Sequence, residues 1–434
     1  MKNNLKEIVI ITFVILIIGG IIYIVNNKKE KIEFPVNNNN NKTPVIMNED
    51  IEYKGTKEIV SDETINNEMY SGSASDTTVL LISNSIMVNA NNINIDKSGE
   101  TNNPDDSSFY GINSGILVNN NANLNINNSN INTSGKGANG LFSYNGNVII
   151  KDTIINTSDD LSGGIMVAGG GNITATNLQV KTQGDSSAAI RSDRGGGNIV
   201  VSNGIYETNG QGSPAIYSTA NIEVSDAKLI SNHSEGIIIE GKNSIMLDSV
   251  DLIANNDTLN GKSTTYKNIF IYQSMSGDAT NGEASLAIKD SKVTTNNGDS
   301  IYVTNTDAII KLENNEFINN DENSYFLRVK KDSWGNAGMN GGVVNLKLNN
   351  QSVIGDIYVD DISTLNVNME NTSYYEGTIN GDNTAAKIEL VLDKKSKIKL
   401  TGDSYITTIN DANRAYTNID FNGYKLYVNG TSIN

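Results

Sequence analysis

The sequence predicts an all-β fold, a single right-handed parallel β-helix, and three observations carry that prediction. A short phrase recurs along the chain: a small residue, isoleucine, a variable residue, then a small or branched one. Most of its starts fall roughly 21 to 32 residues apart, the range of one coil of a solenoid. Between starts, alternating apolar stretches of about four or five residues are separated by Asn, Asp, Gly and Ser turns, the pattern of half-buried strands.

The starts read Gly115-Ile116-Leu117-Val118, Gly164-Ile165-Met166-Val167, Ala189-Ile190-Arg191-Ser192 and Ala215-Ile216-Tyr217-Ser218. They continue as Gly236-Ile237-Ile238-Ile239, Asn268-Ile269-Phe270-Ile271, Ser300-Ile301-Tyr302-Val303 and Asp356-Ile357-Tyr358-Val359. The first and last gaps are about double, so each is expected to hide one less regular coil. Further strands follow within each coil, as in Asn123 to Ile126 then Asn130 to Ile131, and Asn198 to Val201 then Gly204 to Tyr206. Three strands per coil place the eight isoleucines of the starts in one buried ladder, with rungs about 4.8 Å apart. Asparagine suits the turns, because it tolerates the left-handed backbone and hydrogen-bonds its neighbours. Solenoid ends must be capped; the segments Tyr53 to Leu81 and Lys387 to Leu400, with closing strands to Tyr427, are the expected caps.

Composition narrows the function classes. The chain has 434 residues, a net charge of -17, no cysteine and one histidine. Disulfides and thiolate metal sites are therefore excluded. So acidic a chain lacks the dense basic surface that nucleic acid requires.

Ile8 to Val25 is almost continuously apolar and flanked by lysines, close to the roughly 20 residues that cross a bilayer. It is expected to be an uncleaved signal anchor, giving a single-pass cell-membrane protein with residues 1–7 cytoplasmic and the body outside. Residues 26–49, with the run Asn37 to Asn41, read as a flexible stalk. The β-helix then occupies residues 50–434.

Individual coils carry further wording. Ser108-Phe109-Tyr110-Gly111, Asp193-Arg194-Gly195-Gly196-Gly197, Ser213 to Thr219 and Glu240-Gly241-Lys242-Asn243-Ser244 resemble a widespread bacterial family of secreted or surface β-helix proteins. Tyr272 to Asp278, Tyr302 to Thr306 and Trp334-Gly335-Asn336 look like later signatures of the same family. The resemblance spans roughly Lys54 to the C-terminus. It implies an adhesin-like β-helix at the cell surface and no established activity.

Placed on the coils, these signatures follow the first strand and should stack along one edge. That edge gathers Asp193, Arg194, Glu240, Lys242, Gln273, Asp278, Asn305, Lys330 and Trp334. The outward positions of the same strands add Arg191, Tyr217, Ile238, Phe270, Tyr302, Arg328 and Tyr358. Exposed aromatic rings beside charged groups suit a saccharide, whose apolar faces stack while its hydroxyls take polar partners. The plainer reading is that the rings stack on one another to stiffen the sheet, and that Asp193 with Arg194, and Glu240 with Lys242, are ion pairs that fix turns.

Asp193 and Glu240, two coils apart at about 9.6 Å, come near the carboxyl separation of inverting hydrolysis. Arg194 and Lys242 beside them would hold both ionised and remove the general acid. His233 has only Ser and Asn as sequence neighbours, so histidine or zinc chemistry lacks material. Asp105-Asp106 and Asp159-Asp160 lack calcium-loop spacing. No metal or cofactor is expected. The expected function is a non-catalytic surface protein presenting an elongated face to glycan or a protein partner. The alternatives are a polysaccharide-active enzyme, hydrolase or lyase, and a structural envelope spacer.

Overall fold

The computed structural model describes residues 51–434, which form a parallel β-solenoid of about 15 turns. The expected anchor and stalk lie outside the described residues. Among the described residues, no helix is long and apolar enough to cross a membrane.

Each coil contributes strands to three faces, here called A, B and C. Face A is a ladder of strands from Gly55–Ile59 through Thr78–Ile82 and Ile116–Asn119 to Ile357–Val359. Its inward column runs Leu80, Ile116, Leu141, Ile165, Ile190, Ile216, Ile237, Ile269, Ile301, Leu327, Ile357, all in register. The isoleucine ladder is thus present, and Leu141 and Leu327 are the rungs of the two hidden coils. All of these side chains are buried. Burying one such side chain is worth about 1.5–3 kcal/mol, so stacked rungs substitute for disulfides.

Faces B and C join at a one-residue bend. Asn92, Asn128, Asp152, Asn177, Asn203, Asp226, Ser249, Asp290, Asn314 and Asn350 hold that bend in successive coils, each with φ between 46° and 60°. A left-handed residue without cost to its neighbours is what Asn and Asp supply. The strands Gly171–Thr182 and Gly197–Thr208 run through the bend unbroken. On face B, the Nδ2 of Asn147, Asn172, Asn198 and Asn221 each donates to the Asn one coil earlier, starting from Asn123, over 2.8–3.3 Å. At the turn from face C back to face A, the hydroxyls of Thr133, Thr157, Thr182 and Thr208 donate to the carbonyls of Ala138, Ser162, Ser187 and Ser213. In these rows the asparagines and hydroxyls are therefore structural.

Three expectations change. Lys387–Leu392 and Lys397–Leu400 pair in register with the coil before them, so they are ordinary rungs. The chain closes instead on an antiparallel pair of Leu426–Val428 with Thr431–Ser432. The strand Gly55–Ile59 pairs in register with Thr78–Ile82, so the segment Tyr53 to Leu81 opens the ladder as a regular coil. A short helix, α1, spans Pro104–Tyr110, where no helical period had been read. Its signal was local: Asn103 caps it by accepting from the Asp106 N–H, Pro104 begins it, and Gly111 ends it at φ 76°.

Candidate functional site

The outward column of face A reads Leu81, Leu117, Phe142, Met166, Arg191, Tyr217, Ile238, Phe270, Tyr302, Arg328, Tyr358. The sequence placed its later members correctly, but their exposure is corrected. Phe270, Tyr302 and Trp334 are buried, and Tyr217 is partly covered. The reason is a cover of three chain segments. Helix α1 brings the Tyr110 ring to 5.7 Å from Tyr144 and Phe109 to 3.7 Å from the Arg194 guanidinium. The loop after Tyr272 folds back over Glu240. The loop after Val329 lays Trp334 on Phe270 at 5.2 Å and on Tyr272 at 5.3 Å.

Under this cover the acids have partners other than those expected. Glu240, 1% exposed, accepts from the hydroxyls of Tyr217 and Ser274, from the Tyr272 hydroxyl at 3.1 Å and from the Ser274 N–H at 3.3 Å. Lys242 makes no ion pair among the described residues. Its position one turn beyond Glu240 carries it to the loop, where its N–H donates to Thr280. Asp193 pairs with Arg191 at 2.8 Å instead of with its neighbour Arg194, whose N–H it accepts at 2.9 Å. Arg194 reaches Asp278 at 2.7 Å, across 84 residues of sequence. Burial pushes the Asp193 carboxyl up to about 6 against the opposing charge of Arg191. Burial also raises the phenols of Tyr217 and Tyr272, with Tyr272 and Glu240, respectively, adding to it.

The remaining candidates are placed as follows. Gln273 is buried and donates to Ala279 at 3.4 Å, and Asn305 donates to the Gln273 carbonyl at 2.7 Å. These hold the covering loop to its coil. His233, expected to have only Ser and Asn beside it, meets Asp257 at 2.9 Å.

A second buried charge cluster was missed. Lys267, fully buried, lies 3.4 Å from Glu235 and 4.4 Å from the Phe270 ring. Burial lowers its pKa while Glu235 opposes that shift. Beside it, Arg328 grips Asp299 over 2.6 and 3.1 Å, and the Tyr302 hydroxyl donates to Asp332. The signal lay in the spacing: Glu235, Lys267 and Asp299 each stand two residues before the start isoleucine, Ile237, Ile269 and Ile301, of three successive coils, while Tyr302 and Arg328 hold the outward positions already named.

Chemically, the cluster is closed. Every oxygen of Asp193 and Glu240 already accepts a hydrogen bond. Two concave regions of the surface lie away from them, among Asn89, Asn125 and Lys151 on face B and Asp96, Asn132 and Asn156 on face C. Among the described residues, no group of three His, Asp or Glu is arranged to hold a metal ion. Fold and site together define an acidic parallel β-solenoid with one loop-covered face. No protein-family model, curated protein or solved structure matches the chain.

Proposed function

We propose that the chain is a non-catalytic, membrane-anchored protein of the cell surface, whose right-handed solenoid holds a long rigid body out to a glycan or protein partner. The observation that carries this reading over hydrolysis is the condition of Glu240. It is buried, its oxygens are occupied by hydroxyl and N–H donors, and the Tyr272 to Asp278 loop stands over it. A glycosidase needs a carboxyl free to give a proton to a glycosidic oxygen and a second free to activate water. Asp193, clamped by Arg191, is in the same condition. Anchoring rests on the apolar run Ile8 to Val25, and the stand-off from the membrane on the asparagine-rich segment after it.

The test is a glycan array probed with the full chain in detergent, with the same polysaccharides incubated and assayed for new reducing ends. Binding without release is the expected result. Release of reducing ends overturns it in favour of an enzyme, and silence in both assays removes the glycan and leaves a protein partner or a structural spacer.

A further inference from the structure

One amide ladder of face B is broken. The column that starts at Asn123 runs on through Asn147, Asn172, Asn198 and Asn221, each amide donating to the one before. The neighbouring column, two residues along the strand, begins in the same way, with Asn125 donating from Nδ2 to Asn89 at 2.9 Å. Its next rung, in register with Asn125, is Ile149, which has no side-chain donor to offer. The Asn125 Oδ1 therefore accepts nothing from the chain, and Ile149 stands 45% exposed beside it.

A third column is interrupted at the same two rungs. Asn127 and Lys151 are in register. The Asn127 Oδ1 is buried without a donor, and among the described residues no carboxylate pairs with the exposed Lys151. Asn125, Asn127, Ile149 and Lys151 thus form the corners of a patch about 4.8 Å from rung to rung and about 6.6 Å along the strand. The patch lies in a solvent-open trough of about 520 Å³, which Asn89 and Asn91 continue over the preceding coil.

The corners select a ligand group. Asn125 supplies an acceptor, Lys151 a donor with the Asn127 Nδ2 beside it, and Ile149 an apolar surface. A hydroxyl would use the acceptor and the donor but leave Ile149 uncovered. A carboxylate would satisfy Lys151 but bring no hydrogen to the Asn125 Oδ1, and covering an acceptor without a donor costs binding. An acetamido group carries all three complements on one planar unit: an N–H, a carbonyl and a methyl.

We propose that this patch is a binding site for the acetamido group of an N-acetylhexosamine unit in a glycan. The acetamido N–H donates to the Asn125 Oδ1, its carbonyl accepts from the Lys151 Nζ, and its methyl packs on Ile149. The sugars that follow lie along the trough toward Asn91 and Asn89. The site rests on the glycan-binding reading above and names its place and its sugar class.

The test is calorimetric titration of the full chain, in detergent, with tetra-N-acetylchitotetraose, cellotetraose and tetragalacturonate. The first is expected to bind at least about tenfold more tightly than the other two. Ile149→Asn, which returns a donor to Asn125 and removes the apolar surface, and Lys151→Met should each weaken it about tenfold. Ile205→Ala on face C should leave it unchanged, and thermal melts of each variant separate lost binding from lost fold. Equal or tighter binding of cellotetraose or tetragalacturonate overturns the sugar class. Chitotetraose binding that both variants retain overturns the site. No chitotetraose binding by a chain that binds other glycans on the array overturns the proposal and leaves the glycan reading standing, whereas silence toward every glycan removes both.

Discussion

At the scale of single residues, Asp193 shows what burial does to a surface-looking acid. Its carboxyl is raised to about 6, with burial as the first cause and Arg191 opposing it. Between the ordinary value of 3.8 and about 6, the folded chain keeps a proton that the unfolded chain has released. Stability contributed at this site is therefore complete below about 4 and is lost as the pH rises to about 6. Asp193→Asn cannot titrate. Melting temperatures taken across that window should fall with rising pH more steeply for the native chain than for the Asn variant. Equal slopes would show that Asp193 is not buried as described. The sequence could not show this pairing. Arg191 and Arg194 flank the same aspartate, and which one reaches it depends on the turn Gly195 to Gly197, with Gly195 and Gly196 at φ 81° and 58°. Arg194 is then free to cross to Asp278.

Single elements were more legible, because strand alternation and rung spacing repeat. The inward isoleucines mark face A wherever the small residue before them is kept. The coils at Leu141 and Leu327 escaped because leucine stands in the isoleucine position, and before Leu327 the bulky Phe326 also replaces the small residue. The bend between faces B and C is the clearest link from composition to structure. At Asn203 the side chain is exposed and φ is 60°, so a substitution there reads the backbone alone. Asn203→Ala should cost about 1–2 kcal/mol, whereas Asn203→Gly should be nearly neutral, as measured by urea unfolding. Equal losses in both variants would mean that side-chain contacts, and not the left-handed turn, select asparagine. Helix α1 was missed although Asn103, Pro104 and Gly111 announced it. Within a chain full of Asn and Gly turns, those three residues do not stand out.

For the whole molecule, the solenoid separates what each face does. Faces B and C carry ladders of hydrogen-bonded amides. Face A carries an apolar and aromatic outer column that helix α1 and two long loops close over most of its length. The candidate residues were legible as a cluster because stacking coils brings equivalent positions together. Their burial was not, since the landing point of a loop depends on contacts such as Arg194 with Asp278 and Trp334 with Phe270. A column buried under loops at Phe270, Tyr302 and Trp334 and partly exposed at Tyr358, Tyr405 and Tyr427 is the claim on which the closed acid cluster depends. Hydroxyl-radical footprinting of the full chain reads it directly. Low modification of Phe270, Tyr302 and Trp334, with high modification of Tyr358, Tyr405 and Tyr427, is the predicted result. Modification of Phe270 and Tyr302 at the level of Tyr405 would contradict it, and would return the whole column to the surface.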